Sequence, residues 1–317
     1  MSKIKYSPKA GYYHYTKAET AITILETLKI RFSSIKRLND PFDTRIRVLL
    51  SEDFSIKKFL SLLVREANKS SQFSKIFHIW LPHFEFKNLT DRQIERDYIS
   101  QPLQEYVDEK CELVVKAVTE KHDRFFCCST QGDIPSMWAH YAERYRGVVL
   151  NFYDKDNKKE GLFKEQSKIL YGKENRTDWN AKMEYPPVER VYFNEKKMIS
   201  WFNALIEAEI NNDSSWTHEN IVIPCYTTKS LHWQYEAEHR FFRFLEETHP
   251  DVGSDYYYES IPITNLKSVI LGNQIDPAHE HYIKKLLKNY DSHVELRKIL
   301  GLERGYTFKF SENLMTS

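Results

Sequence analysis

The sequence predicts a mixed α+β fold, because strand-like runs stand at both ends of the chain and helical patterns lie between them. Apolar residues make up 41% and charged residues 29% of the 317, which is typical of a packed domain rather than of a disordered chain. We expect one α+β domain over residues 1–317, since this length suits one large domain or two ordinary ones. The helical periodicity of residues 54–123 predicts an insertion or subdomain within that domain.

The N-terminal part of the chain predicts a strand, a helix and a second strand. Residues 11–16 form an aromatic run that is typical of a strand. Thr16 and Glu19 have the spacing of a capping box, so a helix is expected to begin there. Apolar residues follow at helical spacing as far as Leu28, and residues 30–34 then predict the second strand.

Strand and helix patterns alternate through the remainder of the chain. A polar stretch over residues 154–186 predicts the longest loop. The strands are predicted over residues 124–130, 147–153, 187–193, 221–228, 235–244, 256–263, 267–272 and 306–311, and the helices over residues 136–145, 195–210 and 278–289.

Composition argues against several functional classes. The 46 basic residues balance 45 acidic ones, so the overall charge gives no reason to propose a nucleic-acid or membrane-surface partner. With 9 glycines and no G-x-G-x-x-G or P-loop motif, a Rossmann or P-loop nucleotide site is not expected. The chain shows neither a signal peptide nor a membrane-spanning apolar run. Its 4 cysteines lack C-x-x-C spacing, which favours reduced thiols in a cytoplasmic protein.

One stretch, HWQYEAEHRFFR, carries two carboxylates that a strand would place on the same face. Residues two apart on a strand share a face and lie roughly 6–7 Å apart, so Glu236 and Glu238 would repel each other there. Arg240 falls on the same face and could restrain one of them. The stretch is therefore either a surface charge ladder or a site that needs two acids.

Several motifs together resemble a bacterial family, the domain of unknown function 2971 family. They are Y-H-Y-T, A-x-x-I-L-E-x-L-x-I-R-F-S-S, N-D-P-F-D, M-W-A-H-Y, W-x-Y-E-x-E-x-R and S-V-I-L-G, in that order up to about residue 272. The likeness covers most of the chain. The family label itself supplies no activity.

The same motifs are similar to those of the ADP-ribosyltransferase fold, a mixed and mainly antiparallel split sheet. Enzymes of that fold open on a strand bearing His or Arg, matched here by His14, and carry a Ser-Thr strand, matched by Ser129 and Thr130. They keep a catalytic glutamate on a later strand, matched by Glu236 or Glu238, and they bind NAD without a glycine fingerprint. One class has a tyrosine where this chain has Phe32.

This resemblance implies an NAD-using ADP-ribosyltransferase-like enzyme, acting as a bacterial toxin or anti-phage defence effector. Glu238 would be the catalytic carboxylate, Glu236 its companion and His14 a residue that holds NAD; no metal is expected. NAD would be the substrate, and the acceptor could be a protein, a nucleic acid, a small molecule or water. A homo-oligomer or a neutralising partner is a further expectation. The residues expected to bind NAD are Tyr15, Phe32, Ser33, Asn39, Asp40, Ser129, Trp138, His140, Tyr141 and Arg240.

Two other functions fit the same residues. A metal-dependent nuclease or phosphodiesterase would collect a divalent ion with carboxylates drawn from Asp40, Asp43, Glu236 and Glu238. A non-catalytic nucleotide-sensing or interaction module would bind its ligand without turnover, and both glutamates would be tied to arginines. In the absence of a site, the asparagine and aspartates near Pro41 would act as turn-formers.

Overall fold

The computed structural model describes residues 11–39, 121–153, 231–290, 294–303 and 307–316, with short pieces among residues 49–65, 166–171, 192–200 and 228–229. Three helices of at least seven residues lie in this part of the chain: α1 (Ala18–Thr27), α2 (Pro135–Tyr141) and α3 (Pro277–Asn289). The strands are β1 (Tyr12–Thr16), β2 (Lys29–Ser33), β3 (Leu49–Leu50), β4 (Asp123–Ser129), β5 (Val148–Phe152), β6 (Gln166–Lys168), β7 (Leu170–Tyr171), β8 (Tyr192–Phe193), β9 (Thr228–Lys229), β10 (Glu238–Phe244), β11 (Tyr256–Ser260), β12 (Leu266–Leu271), β13 (Glu295–Leu302) and β14 (Phe308–Phe310).

The chain divides into two compact units. The first comprises residues 1–41, 120–169 and 230–317, and the second comprises residues 42–119 and 170–229. The described part of the second unit includes two parallel strand pairs, β3 with β8 and β7 with β9. The large sheet and all the helices named above belong to the first unit. The predicted helical insertion over residues 54–123 and the predicted helix over residues 195–210 lie mostly outside the described residues.

The large sheet is mostly antiparallel, which confirms the predicted mixed α+β class at this level. Its main path runs β11-β2-β4-β1-β5-β12-β13-β14, with β10 between β4 and β6. The parallel neighbours on this path are β12 and β13. β1 lies between β4 and β5 and is antiparallel to both, and the segment that connects β4 to β5 contains α2.

The sheet divides into two arms at β4. Along one edge, β4 pairs over its full length with β10. Ser129 also bridges to Tyr13 of β1, and Phe125 also bridges to Ser33 of β2. Because each residue has one neighbour per edge, β1 and β2 must share the second edge of β4 and diverge from it. The β1 arm continues to β14, and the β2 arm ends at β11.

Helices pack on both faces of the sheet. On one face, α1 and α3 bury Leu25, Ile283 and Leu287 against Phe126, Leu150 and other strand side chains. On the other face, α2 buries Met137 and Trp138 against Tyr13 and Tyr15 of β1. None of the described helices is long and apolar enough to cross a membrane.

Several element boundaries differ from the prediction. Thr16 ends β1, and Lys17 rather than Thr16 precedes α1 without a side-chain cap, so the predicted capping box is wrong. The helix predicted over residues 136–145 ends at Tyr141, because Glu143, Arg144 and Tyr145 have positive φ of 50°, 54° and 67°. The sequence does not predict β13, whose residues alternate poorly and include Gly301.

Candidate active site

Three segments singled out in the sequence meet at one hydrogen-bonded chain of side chains. Asn39 follows β2, Tyr141 is the last residue of α2, and Glu236 ends a 3₁₀ helix, Leu231–Glu236. The amide of Asn39 donates to the Tyr141 hydroxyl, which donates in turn to Oε1 of Glu236 at 2.6 Å. These contacts join residues 102 and 95 positions apart in the chain. We call Asn39, Tyr141 and Glu236 the relay cluster.

The carboxylate of the relay cluster is almost wholly enclosed by protein. Glu236 is 3% exposed, whereas Asn39 is exposed and Tyr141 is half-buried. Burial, and next the hydrogen bond to Glu236, raise the pKa of Tyr141 well above its usual range. The Tyr141 hydroxyl therefore stays protonated at neutral pH, and it donates its hydrogen bond as an uncharged group. Such a donor orients the carboxylate without cancelling its charge.

Glu236 and Glu238 do not share one strand, which corrects the prediction for residues 235–237. Ala237 has a left-handed φ of 44°, and β10 begins only after it, at Glu238. The amide of Thr130 donates to the Ala237 carbonyl oxygen at 2.9 Å and holds this bend against the end of β4. Left-handed backbone is uncommon for a residue with a side chain. Nothing in the sequence marks Ala237 for that conformation.

Glu238 forms a buried ion pair with Arg240, the residue predicted to restrain one of the two glutamates. Nε of Arg240 donates to Oε1 of Glu238 at 2.7 Å, and Nη2 donates to Oε2 at 3.1 Å. The Glu238 side chain is 6% exposed and the Arg240 side chain 0%. A two-pronged contact of this kind is strong and geometrically specific. It places a positive charge against both oxygens of Glu238.

Ser129 lies beside Glu238 on the face that α2 covers. Glu238 pairs with Ser129 across β10 and β4, and Ser129 pairs with Tyr13 across β4 and β1. Residues paired across strands point to the same face. The Ser129 hydroxyl is fully buried and accepts a hydrogen bond from the amide of Gln131 at 3.1 Å. Ser129 and Thr130 thus hold the turn that lies next to Glu238.

His14 points to the opposite face of the sheet from Glu238. Its neighbour Tyr13 shares the Glu238 face, and successive strand residues alternate. Nδ1–H of His14 donates to the carbonyl oxygen of Cys127, at 3.0 Å, where the two arms of the sheet diverge. Burial lowers the pKa of His14 to about 4, so the ring is neutral at pH 7. The structure does not bring His14 to the two glutamates.

The other residues predicted to bind NAD are dispersed. Phe32 is fully buried, with the Arg243 guanidinium 4.9 Å from its ring centre, so the ring offers no free face for stacking. Trp138 is also fully buried, and its indole N–H donates to the Gly132 carbonyl oxygen at 3.0 Å.

Three further predicted residues are described, and one is not. The Tyr15 hydroxyl donates to the Gln131 carbonyl oxygen at 2.9 Å. Ser33 is half-buried at the point where β2 meets β4, and His140 is exposed on α2. Asp40 lies outside the described residues.

The metal hypothesis depends on residues beyond the described part of the chain. Asp40 and Asp43 are both outside it. Within the residues that the structure describes, no three His, Cys, Asp or Glu side chains are grouped so that they could hold a metal ion.

Residues 137–241 match the model of a family described as protein of unknown function (DUF2971). The match confirms the predicted family over those residues. It begins at the start of the M-W-A-H-Y motif and includes Tyr141, Glu236, Glu238 and Arg240. No curated protein and no solved structure matches the chain.

Proposed function

We propose that the chain is an ADP-ribosyltransferase-like enzyme that takes NAD as its substrate, with Glu236 as the reacting carboxylate. The observation that supports the proposal is the meeting of the N-D-P-F-D, M-W-A-H-Y and W-x-Y-E-x-E-x-R segments in the relay cluster. Distant segments that converge on a buried, hydrogen-bonded carboxylate are typical of a site that performs chemistry. The division of the sheet into two arms at β4 is consistent with the split sheet of that fold.

The chemistry needs a charged carboxylate beside the ribose. Cleavage of the bond between nicotinamide and ribose develops positive charge on the sugar, and a fixed negative charge stabilises that transition state. The electron pair of the broken bond leaves with nicotinamide, and the acceptor then supplies the electrons of the new bond to ribose. Low dielectric around Glu236 strengthens this interaction.

The two glutamates differ in how suited they are to that role. Arg240 compensates the charge of Glu238 at both oxygens, which weakens any attraction between Glu238 and a cationic sugar. The hydrogen bond from Tyr141 orients Glu236 at the point where the three motifs meet. We therefore assign the reaction to Glu236, and we assign to the Glu238–Arg240 pair the role of fixing the start of β10. This reverses the roles that the sequence resemblance implies.

Asn39 and Tyr141 complete the assignment as positioning residues. Tyr141 fixes one oxygen of Glu236, and Asn39 in turn fixes the direction of the Tyr141 hydroxyl. Holding a reacting group in one geometry supplies a large part of the rate enhancement in many enzymes.

A nucleotide-sensing module is the second candidate, because one feature that it needs is present. That function needs both glutamates tied to arginines, and Glu238 is so tied. It differs from the enzyme in one measurable respect, namely that the bound nucleotide remains intact.

Incubation of the purified chain with NAD, followed by chromatography for free nicotinamide, tests the proposal. Calorimetry on the same samples measures binding. We expect saturable binding with nicotinamide release, with water as the default acceptor. Saturable binding that leaves NAD intact, also with cell extract added as a source of acceptors, favours the sensing module and contradicts the enzyme. Absence of binding contradicts both.

A further inference from the structure

The β2–β11 arm of the sheet carries a row of exposed cations and tyrosines on one face. Lys29 pairs with Ser260, Arg31 with Tyr258, and Ser33 with Tyr256. Paired residues share a face, as do alternate residues along each strand. We call Lys29, Arg31, Tyr256 and Tyr258, with Arg37 at the end beyond Ser33, the basic strip.

The basic strip is open to solvent in its charged and aromatic parts. Tyr258 is 57% exposed, and the Arg37 side chain is 52% exposed. Lys29 and Arg31 are exposed as well. The opposite face of the same strands is buried, with Ile30 and Phe32 in the core. Tyr258 is among the most exposed large side chains of the described residues, and it stands opposite Arg31 in the strand register.

Two guanidinium groups on the strip are held in place by one ring. The Cζ atom of Arg31 lies 4.6 Å from the centre of the Tyr256 ring, and that of Arg37 lies 5.6 Å from it. Asp255 accepts from Nε of Arg37 at 2.8 Å and so fixes that side chain further. Cations that are ordered in advance lose less conformational entropy when they bind an anion.

The charge of the strip indicates the sign of its partner. Lys29, Arg31 and Arg37 bring three cations to the strip, and Asp255 pairs with one of them, Arg37. The Arg243–Glu259 pair belongs to the opposite, core-facing side of the strands, since Glu259 pairs with Ile30. The local excess of positive charge is hidden in the balanced total of the chain. A polyanion is the complementary partner.

We propose that the basic strip binds single-stranded nucleic acid. An open tyrosine ring provides a face on which a base can stack, and flanking arginines and lysine neutralise phosphates, which is the combination that binds single strands without sequence preference. Acidic proteins fit the charge but make no use of the exposed ring of Tyr258. The surface goes beyond the proposed reaction and does not depend on it.

The strip shares a face of the sheet with Glu238. Ser33 bridges to Phe125, and alternation along β4 carries that face to Ser129, the partner of Glu238. A strand bound to the strip would therefore lie on the side of the sheet that α2 packs on, and Tyr141 of α2 binds Glu236. If the proposed transfer occurs, this placement makes nucleic acid the expected acceptor; that link rests on the proposed function, whereas the binding does not.

Fluorescence anisotropy of a labelled oligothymidylate of about 15 nucleotides tests the surface at about 50 mM salt. We expect saturable binding that Tyr258→Ala weakens about tenfold and Tyr258→Phe retains, because stacking needs the ring and not the hydroxyl. Arg31→Glu should weaken binding by at least about tenfold and reduce the slope of log affinity against log salt by about 1.

Matched controls come from α3, which lies on the other side of the sheet. Tyr282→Ala and Lys285→Glu change an exposed tyrosine and an exposed lysine there, and neither should alter the affinity. The proposal is overturned if the wild-type chain does not bind the oligonucleotide. It is also overturned if the α3 variants weaken binding as much as the strip variants. Displacement of the oligonucleotide by polyglutamate at equal charge concentration would identify an acidic protein surface as the partner instead.

Discussion

Glu236→Gln is expected to lower the rate of nicotinamide release from NAD by about 10²–10³-fold, the usual effect of removing one group that stabilises transition-state charge. The substitution keeps the size of the side chain and its ability to accept from Tyr141, but it removes the negative charge. Binding of NAD should change far less than turnover, because the charge acts on the sugar only as the bond breaks. Initial rates and NAD affinity measured on the same preparations separate the two quantities.

Three further variants make this expectation specific. Tyr141→Phe removes the hydroxyl that orients Glu236 and should slow turnover by about tenfold. This is a small part of the rate enhancement that complete orientation of a reacting group supplies. Glu246→Gln, an exposed glutamate just beyond β10, should have no effect. Glu238→Gln should reduce the folded population more than the rate per folded molecule. Full turnover in Glu236→Gln, together with loss of turnover in a folded Glu238→Gln variant, would return the reaction to Glu238.

Arg240→Met is expected to lower the free energy of unfolding by about 3–5 kcal/mol, because it leaves the carboxylate of Glu238 buried without its cation. Methionine occupies much of the volume of the arginine stem, so the lost charge rather than an empty cavity dominates. Equilibrium unfolding in urea measures the change. The variant Arg240→Met with Glu238→Gln removes the unpaired charge as well and should recover most of the loss.

An exposed pair in the same unit provides the control. Nη2 of Arg37 lies 2.5 Å from Oδ2 of Asp255, and the two side chains are 52% and 34% exposed. Solvent weakens this pair, so Arg37→Met should lower the free energy of unfolding far less than Arg240→Met does. Equal costs for Arg240→Met and Arg37→Met would show that the buried pair does not fix the start of β10, and the role assigned to it would fail.

Local patterns in the sequence predict much of the sheet. Aromatic and β-branched runs coincide with β1, β4 and β12 to within about one or two residues, because such side chains favour a pleated surface. The strand β13 has no such run, and its position depends on parallel pairing with β12. Pairing between distant segments is a tertiary effect that local propensity does not contain.

Glu236 and Glu238 show a second limit of prediction from the sequence. The alternation E-A-E predicts two carboxylates on one strand face, and a single left-handed residue, Ala237, places Glu236 outside the strand. Left-handed backbone at alanine is unfavourable in isolation and persists only because Thr130 and the surrounding structure hold it. The sequence does identify Arg240 as the partner of Glu238, since that contact depends only on the i, i+2 geometry of β10.

The residues of the relay cluster are all identifiable as candidates, but their contacts are not. Asn39, Tyr141 and Glu236 stand in three separate motifs, and contacts across 95 to 102 residues leave no trace in local periodicity. The sequence resemblance likewise predicts that His14 lies with the glutamates, on the basis of its motif alone. In the structure, alternation along β1 places His14 on the opposite face, where it contacts the Cys127 carbonyl oxygen.

A crystal structure of the Glu236→Gln variant with NAD tests the central claim most directly, because the slowed variant retains intact NAD. We expect the ribose next to nicotinamide to lie within hydrogen-bond distance, about 2.6–3.2 Å, of residue 236. The Tyr141 hydroxyl should keep its contact with that side chain. Ordered NAD at a site away from residue 236 would contradict the assignment of Glu236 as the reacting carboxylate, and so would NAD whose ribose contacts Glu238 instead.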